Sequence, residues 1–116
     1  MFVRAFADAP AYKAPNHRGV TSLRLQGFEV AGGPTNQWVG LSRFAPGGGA
    51  GPDSTPFEKI YVVLSGEMTV IVDGRETVLS KFDSCTIAPD EVREIVNRSA
   101  EVCEMIVVVP YPPVIV

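Results

Sequence analysis

The sequence predicts an all-β fold, a sandwich or barrel of about eight short strands. Three observations carry this. Stretches rich in Val, Ile, Thr, Phe and Tyr alternate with turn residues supplied by 10 prolines and 11 glycines. No stretch repeats its apolar residues at the spacing of an amphipathic helix. The segment MTVIV-DG-RETVL places Asp73-Gly74 between two β-rich runs, and that pair suits the positive φ angles of a type I′ hairpin turn.

Taken in order, residues 1–20 form an extended N-terminal arm broken by Pro10 and Pro15. Strands are expected at Ser22–Val30, Gln37–Ala45, Glu58–Leu64, Glu67–Val72, Glu76–Ser80, Ser84–Ala88, Val92–Asn97 and Glu101–Val109. Residues 21–110 make the barrel and 111–116 a proline-rich tail. The run GGGAG at 47–51 lacks the Gly-Lys-Ser/Thr of a phosphate loop and is not followed by a helix, so it reads as a flexible connection. The apolar VVVPYPPVIV end is expected to pack across a second subunit, giving a homodimer.

The 116 residues suffice for one domain. Apolar residues are 46% and charged residues 20%, as in ordinary globular chains. A formal charge of −3 without a basic run gives no footing for nucleic acid or an anionic membrane. The N-terminus lacks a secretory h-region, and the apolar end is too short and too proline-broken to span a bilayer, so a cytoplasmic protein is expected. Cys85 and Cys103 lie in apolar strand-like settings without CxxC spacing and read as buried free thiols.

Pro46-Gly47, then IYVVLSGEMTVIVDG, then FDSCTIAP followed by EVREIVN stand in the order of the two motifs of the cupin superfamily. The chain resembles that family over residues 38–109. The resemblance implies a double-stranded β-helix, the jelly-roll barrel, with its ligand site inside. It also implies a metal held by two histidines, a glutamate and a third histidine, and here the chain departs from the pattern. Seven residues before Gly66 stands Lys59 in place of the glutamate, with Glu58 next to it on the opposite face of the strand. The first two histidine positions fall among Pro52–Thr55, which offer Asp53, Ser54 and Thr55. The last falls on Glu94 counted from Pro89, or on Arg93 counted back from Asn97. Arg93 is favoured inward, because it shares a face with Ile95 and Asn97.

His17 is the only histidine of the chain, and one imidazole cannot supply the usual three, so neither a metal nor another cofactor is expected. It sits in a surface turn, or on an arm folded over the barrel mouth where it could act as general acid or base. Lys59 in the inward position turns Tyr61 inward too, and with Arg93 the pocket becomes cationic and partly aromatic. Such a pocket fits a small organic anion, with Trp38 and Phe44 as an apolar wall. Alternatively, Lys59 pairs with Glu94 or Glu67 and fills the barrel. Three functions remain open: a non-metal barrel binding a small anionic metabolite; a metal-independent isomerase, lyase or cyclase using His17, Lys59, Tyr61 or Glu94; or a dimeric interaction module.

Overall fold

A computed structural model describes residues 1–111 of the chain. Among the described residues, a short 3-10 turn at Phe6–Asp8 is followed by nine strands: β1 (Ala11–Tyr12), β2 (His17–Gln26), β3 (Gln37–Asp53), β4 (Lys59–Ser65), β5 (Met68–Val72), β6 (Arg75–Leu79), β7 (Ser84–Ile87), β8 (Arg93–Val96) and β9 (Cys103–Pro110). All pair antiparallel, in the order β6-β5-β8-β3-β9-β4-β7, with β2 on β3 and β1 on β2. The result is an almost closed barrel.

The hairpin β5–β6 turns where the sequence places it, with Val72 opposite Arg75 and φ of 51° at Asp73 and 73° at Gly74. The C-terminal six strands match their expected positions within two residues at each end. Two expectations are corrected. β2 starts at His17, inside the segment read as an arm, and ends at Gln26 rather than Val30. The glycine run is not a flexible connection: it continues β3 through to Asp53, with Gly49 opposite Val96 and Ala50 opposite Ile95 and His17. The glycines are there for close approach. A β-carbon on Gly49 would overlap the Ile95 carbonyl, and one on Gly48 the Gly19 carbonyl.

This long strand changes partners part-way. Gln37–Phe44 lies along β9, and Gly49–Asp53 lies along β8. Gly47, with φ of 81°, makes the bend between them. Fully buried Asn97 pins that corner by donating from Nδ2 to the carbonyls of Phe44 (3.1 Å) and Glu101 (2.7 Å). Its backbone exchanges bonds with Gly47 and Gly48. The frame asparagine of the second motif is therefore a structural tie.

The core runs along the barrel interior: Phe44, Tyr61, Val63, Met68, Ile95 and Met105. Cys103 is buried and Cys85 half-buried, both as free thiols, and burial pushes Cys103 up to about 11. At the end of β9, Tyr111 donates its N–H to the Asn36 carbonyl and sets its ring 5.4 Å from Phe28. The remainder of the tail, 112–116, on which the expected subunit contact rests, lies outside the described residues.

Candidate functional site

Strand β4 aims Lys59, Tyr61 and Val63 into the barrel and Ile60 out of it, since neighbours on a strand face opposite sides. Lys59 and Tyr61 line a cavity of about 300 Å³ together with His17, Trp38, Phe44 and Arg93. Six residues singled out by the sequence thus meet in one place.

Arg93 occupies the inward position and is only 5% exposed. Its Nε donates to the Tyr61 hydroxyl at 2.9 Å and its Nη1 to the Gly51 carbonyl at 3.0 Å. Among the described residues, no protein acceptor takes its Nη2. Glu94 is excluded from the cavity. It sits opposite Ile71 on the other face of β8, close enough to Arg98 to influence it, so it is corrected as a site candidate. The period of two along the strand decides this: one of Arg93 and Glu94 must face out.

Lys59 is not neutralised by an ion pair. Neither Glu94 nor the exposed Glu67 reaches it, and among the described residues no carboxylate lies within salt-bridge distance. Burial lowers its pKa, Arg93 lowers it further, and Asp53 partly offsets both. The salt-bridge-filled barrel is therefore not what forms. Tyr61 moves the other way, raised by burial against the pull of Arg93, which keeps the phenol protonated.

His17 reaches the cavity as the first residue of β2, its ring roughly parallel to Phe44 at 6.5 Å between centroids. Its Nδ1 lies 2.7 Å from the Pro15 carbonyl, an acceptor only, so Nδ1–H donates and the lone pair of the neutral ring sits on Nε2. Burial lowers the imidazole pKa; the Pro15 bond opposes this, while Arg93 and Lys59 add to it. The ring is thus held neutral near neutral pH.

The sequence reading missed Tyr12, Ser42 and Phe57, which also line the cavity. Tyr12 stands edge-on to Trp38, with centroids 5.5 Å apart at 84°, and its hydroxyl fills the space left by Gly40. The Arg24 guanidinium lies 4.4 Å and 4.6 Å from the Tyr12 and Trp38 ring centroids, fixing both rings from behind. The one local hint was an aromatic residue shortly before Pro15; its partner Trp38 is 26 residues away. At the mouth, Asp53 and Thr55 line the cavity at the positions where the motif's histidines fall, whereas Glu58 stays exposed. A second depression, between β5, β6 and β7, holds none of these groups.

A model of the cupin domain matches residues 40–109. The chain belongs to the cupin family. A relative from Mycobacterium tuberculosis, named beta-D-galactosidase Rv1717, is 48% identical over 106 residues, covering 91% of this cupin and 90% of the relative. Among solved structures, the polyketide cyclase RemF from Streptomyces resistomycificus superposes with a TM-score of 0.83 at 22% identity, over 97% of this chain and 83% of that one. An RmlC-like cupin from Shewanella frigidimarina gives 0.76 at 17% identity, over 95% and 90%. These two likenesses concern the fold.

The metal of the family does not fit this donor set. The cavity offers His17 and Asp53 as ligand types, while Lys59 and Arg93 bring positive charge to the positions of the glutamate and the last histidine. Among the described residues, no three His, Cys, Asp or Glu side chains converge.

Proposed function

We propose that this cupin is a metal-independent enzyme that binds a small carbohydrate-type acid inside the barrel and moves a proton on it. The supporting observation is the convergence on one cavity of a neutral imidazole, two cations and a protonated phenol. The sugar-type substrate is supported by the name of the 48% identical relative. Arg93, with its Nη2 free of protein acceptors among the described residues, receives the carboxylate beside Lys59, and Trp38 and Tyr12 offer ring surface to the carbon skeleton. His17 Nε2 takes the proton next to the carboxylate. Tyr61, whose oxygen already accepts from Arg93, has its own proton to give. The two free thiols accord with a cytoplasmic setting.

Trp38, the only tryptophan, reports binding by fluorescence. D-galacturonate is expected to bind at least about tenfold more tightly than D-galactose, ~1.4 kcal/mol, a preference lost in Arg93→Gln. In D2O, deuterium is expected to enter at the carbon beside the carboxylate, and not in His17→Gln. Equal affinity for acid and neutral sugar overturns the anion site. A near-stoichiometric transition metal in the purified protein overturns the metal-free chemistry.

A second reading, hydrolysis of a β-galactoside, is favoured by the same relative's name. Glycoside hydrolysis usually employs two carboxylates across the scissile bond, and this cavity contributes Asp53 alone. Turnover of p-nitrophenyl β-D-galactoside that disappears in Asp53→Asn would establish this reading in place of the first.

A further inference from the structure

We infer that Lys59 is a nucleophile that forms an imine with the carbonyl of a 2-oxo acid or an open-chain sugar acid, its carboxylate held by Arg93. The inference rests on the carboxylate-binding cavity proposed above and assigns its reacting atom.

Cavity-lining lysines are ordinarily neutralised by a carboxylate, yet Lys59 has no ion pair or side-chain hydrogen bond among the described residues. Its amine is half-buried in a barrel walled by Phe44, Phe57 and Tyr61, with the Arg93 guanidinium on the neighbouring face. Desolvation beside a second cation is the environment that frees a lysine amine for attack. Burial and Arg93 both draw its pKa down. The groups facing it are Arg93, His17, Tyr61 and, at the mouth, Asp53.

The lone pair of the neutral Lys59 amine attacks the carbonyl carbon. His17 Nε2 accepts the proton shed by nitrogen and passes it to the oxygen, giving a neutral carbinolamine. The Tyr61 O–H then protonates the departing hydroxyl, water leaves, and the nitrogen lone pair closes the C=N bond. The remaining nitrogen proton returns to the Tyr61 oxygen, so both side chains end as they began. Hydrolysis reverses each transfer, so no oxidant or further reactant is involved. The Nη2 of Arg93, without a protein acceptor among the described residues, remains for the carboxylate.

The chain has three lysines, and Lys13 and Lys81 are exposed, so adducts are simple to locate. The full-length protein is incubated with pyruvate and sodium cyanoborohydride, followed by intact mass and peptide mapping. One reduced adduct on the Lys59 peptide is expected, at least about tenfold above Lys13 and Lys81, about 1.4 kcal/mol in relative reactivity. It is expected to vanish in Lys59→Arg, which keeps the charge and whose circular dichroism checks the fold. Arg93→Gln should reduce the adducts of both pyruvate and acetaldehyde, since it removes the neighbouring cation, but that of pyruvate more, because acetaldehyde has no carboxylate to lose. Equal labelling of the three lysines overturns the inference. So does pyruvate binding, seen as a Trp38 fluorescence change, without an adduct; in that case the anion cavity stands. Neither binding nor adduct removes both.

Discussion

At His17 one ring nitrogen is committed to the Pro15 carbonyl and the other is left as a lone pair. Its protonation is opposed by burial and by Arg93 and Lys59, and favoured by Asp53 and the Pro15 bond. The folded-state pKa therefore lies below the ordinary 6.5. Between that lowered value and 6.5 the unfolded chain carries more protons than the folded one, so stability rises with pH across this window. The contribution is complete above 6.5 and lost as the pH falls through the folded pKa. As the sole histidine, His17 gives a single imidazole C2–H signal in NMR, expected to titrate below 6.5, with the melting temperature falling over the same range. A titration midpoint above 6.5 would contradict the buried neutral ring. The inward set Lys59, Tyr61, Arg93, Trp38 and Phe44 was legible in the sequence because strand alternation fixes faces once a register is known. Tyr12 was not legible, because its place depends on Arg24 and Gly40, far away in sequence.

Among the elements, β3 departs most from the sequence reading. Its first half is announced by the alternation of Trp38, Ser42 and Phe44, whereas its second half is glycine-rich and carries no strand signal of its own. Pairing with β2 and β8 makes it a strand, and the small residues are required by how closely those backbones pass. Gly49→Ala separates the two readings. A flexible connection would tolerate the methyl group, but here it meets the Ile95 carbonyl, and a loss of about 1–3 kcal/mol is expected. Urea unfolding measures it; a change within about 0.5 kcal/mol, as at an unconstrained surface position, would restore the loop reading. The β5–β6 hairpin shows the reverse case, with Asp73-Gly74 fixing turn and register locally.

For the whole molecule, the barrel is closed by pairings between residues far apart, such as Trp38 with Val109 and Ile60 with Val108. Closing such loops costs chain entropy before the contacts reward it. Refolding followed by Trp38 fluorescence is therefore expected in milliseconds to seconds, the range of non-local β-folds. Microsecond refolding would mean that Trp38 acquires its surroundings before β9 docks. The sequence by itself determined the β class, the hairpin, the order of the barrel motifs and the replacement of metal ligands by Lys59 and by Arg93 or Glu94. Those features are local: turn chemistry, alternation and residue identity at counted positions. Only the tertiary structure decided that Arg93 rather than Glu94 faces inward, that Lys59 stays unpaired, that His17 joins the cavity and that the glycine run is a strand. Each of these depends on which backbone lies alongside which, and spacing along one chain does not contain that information.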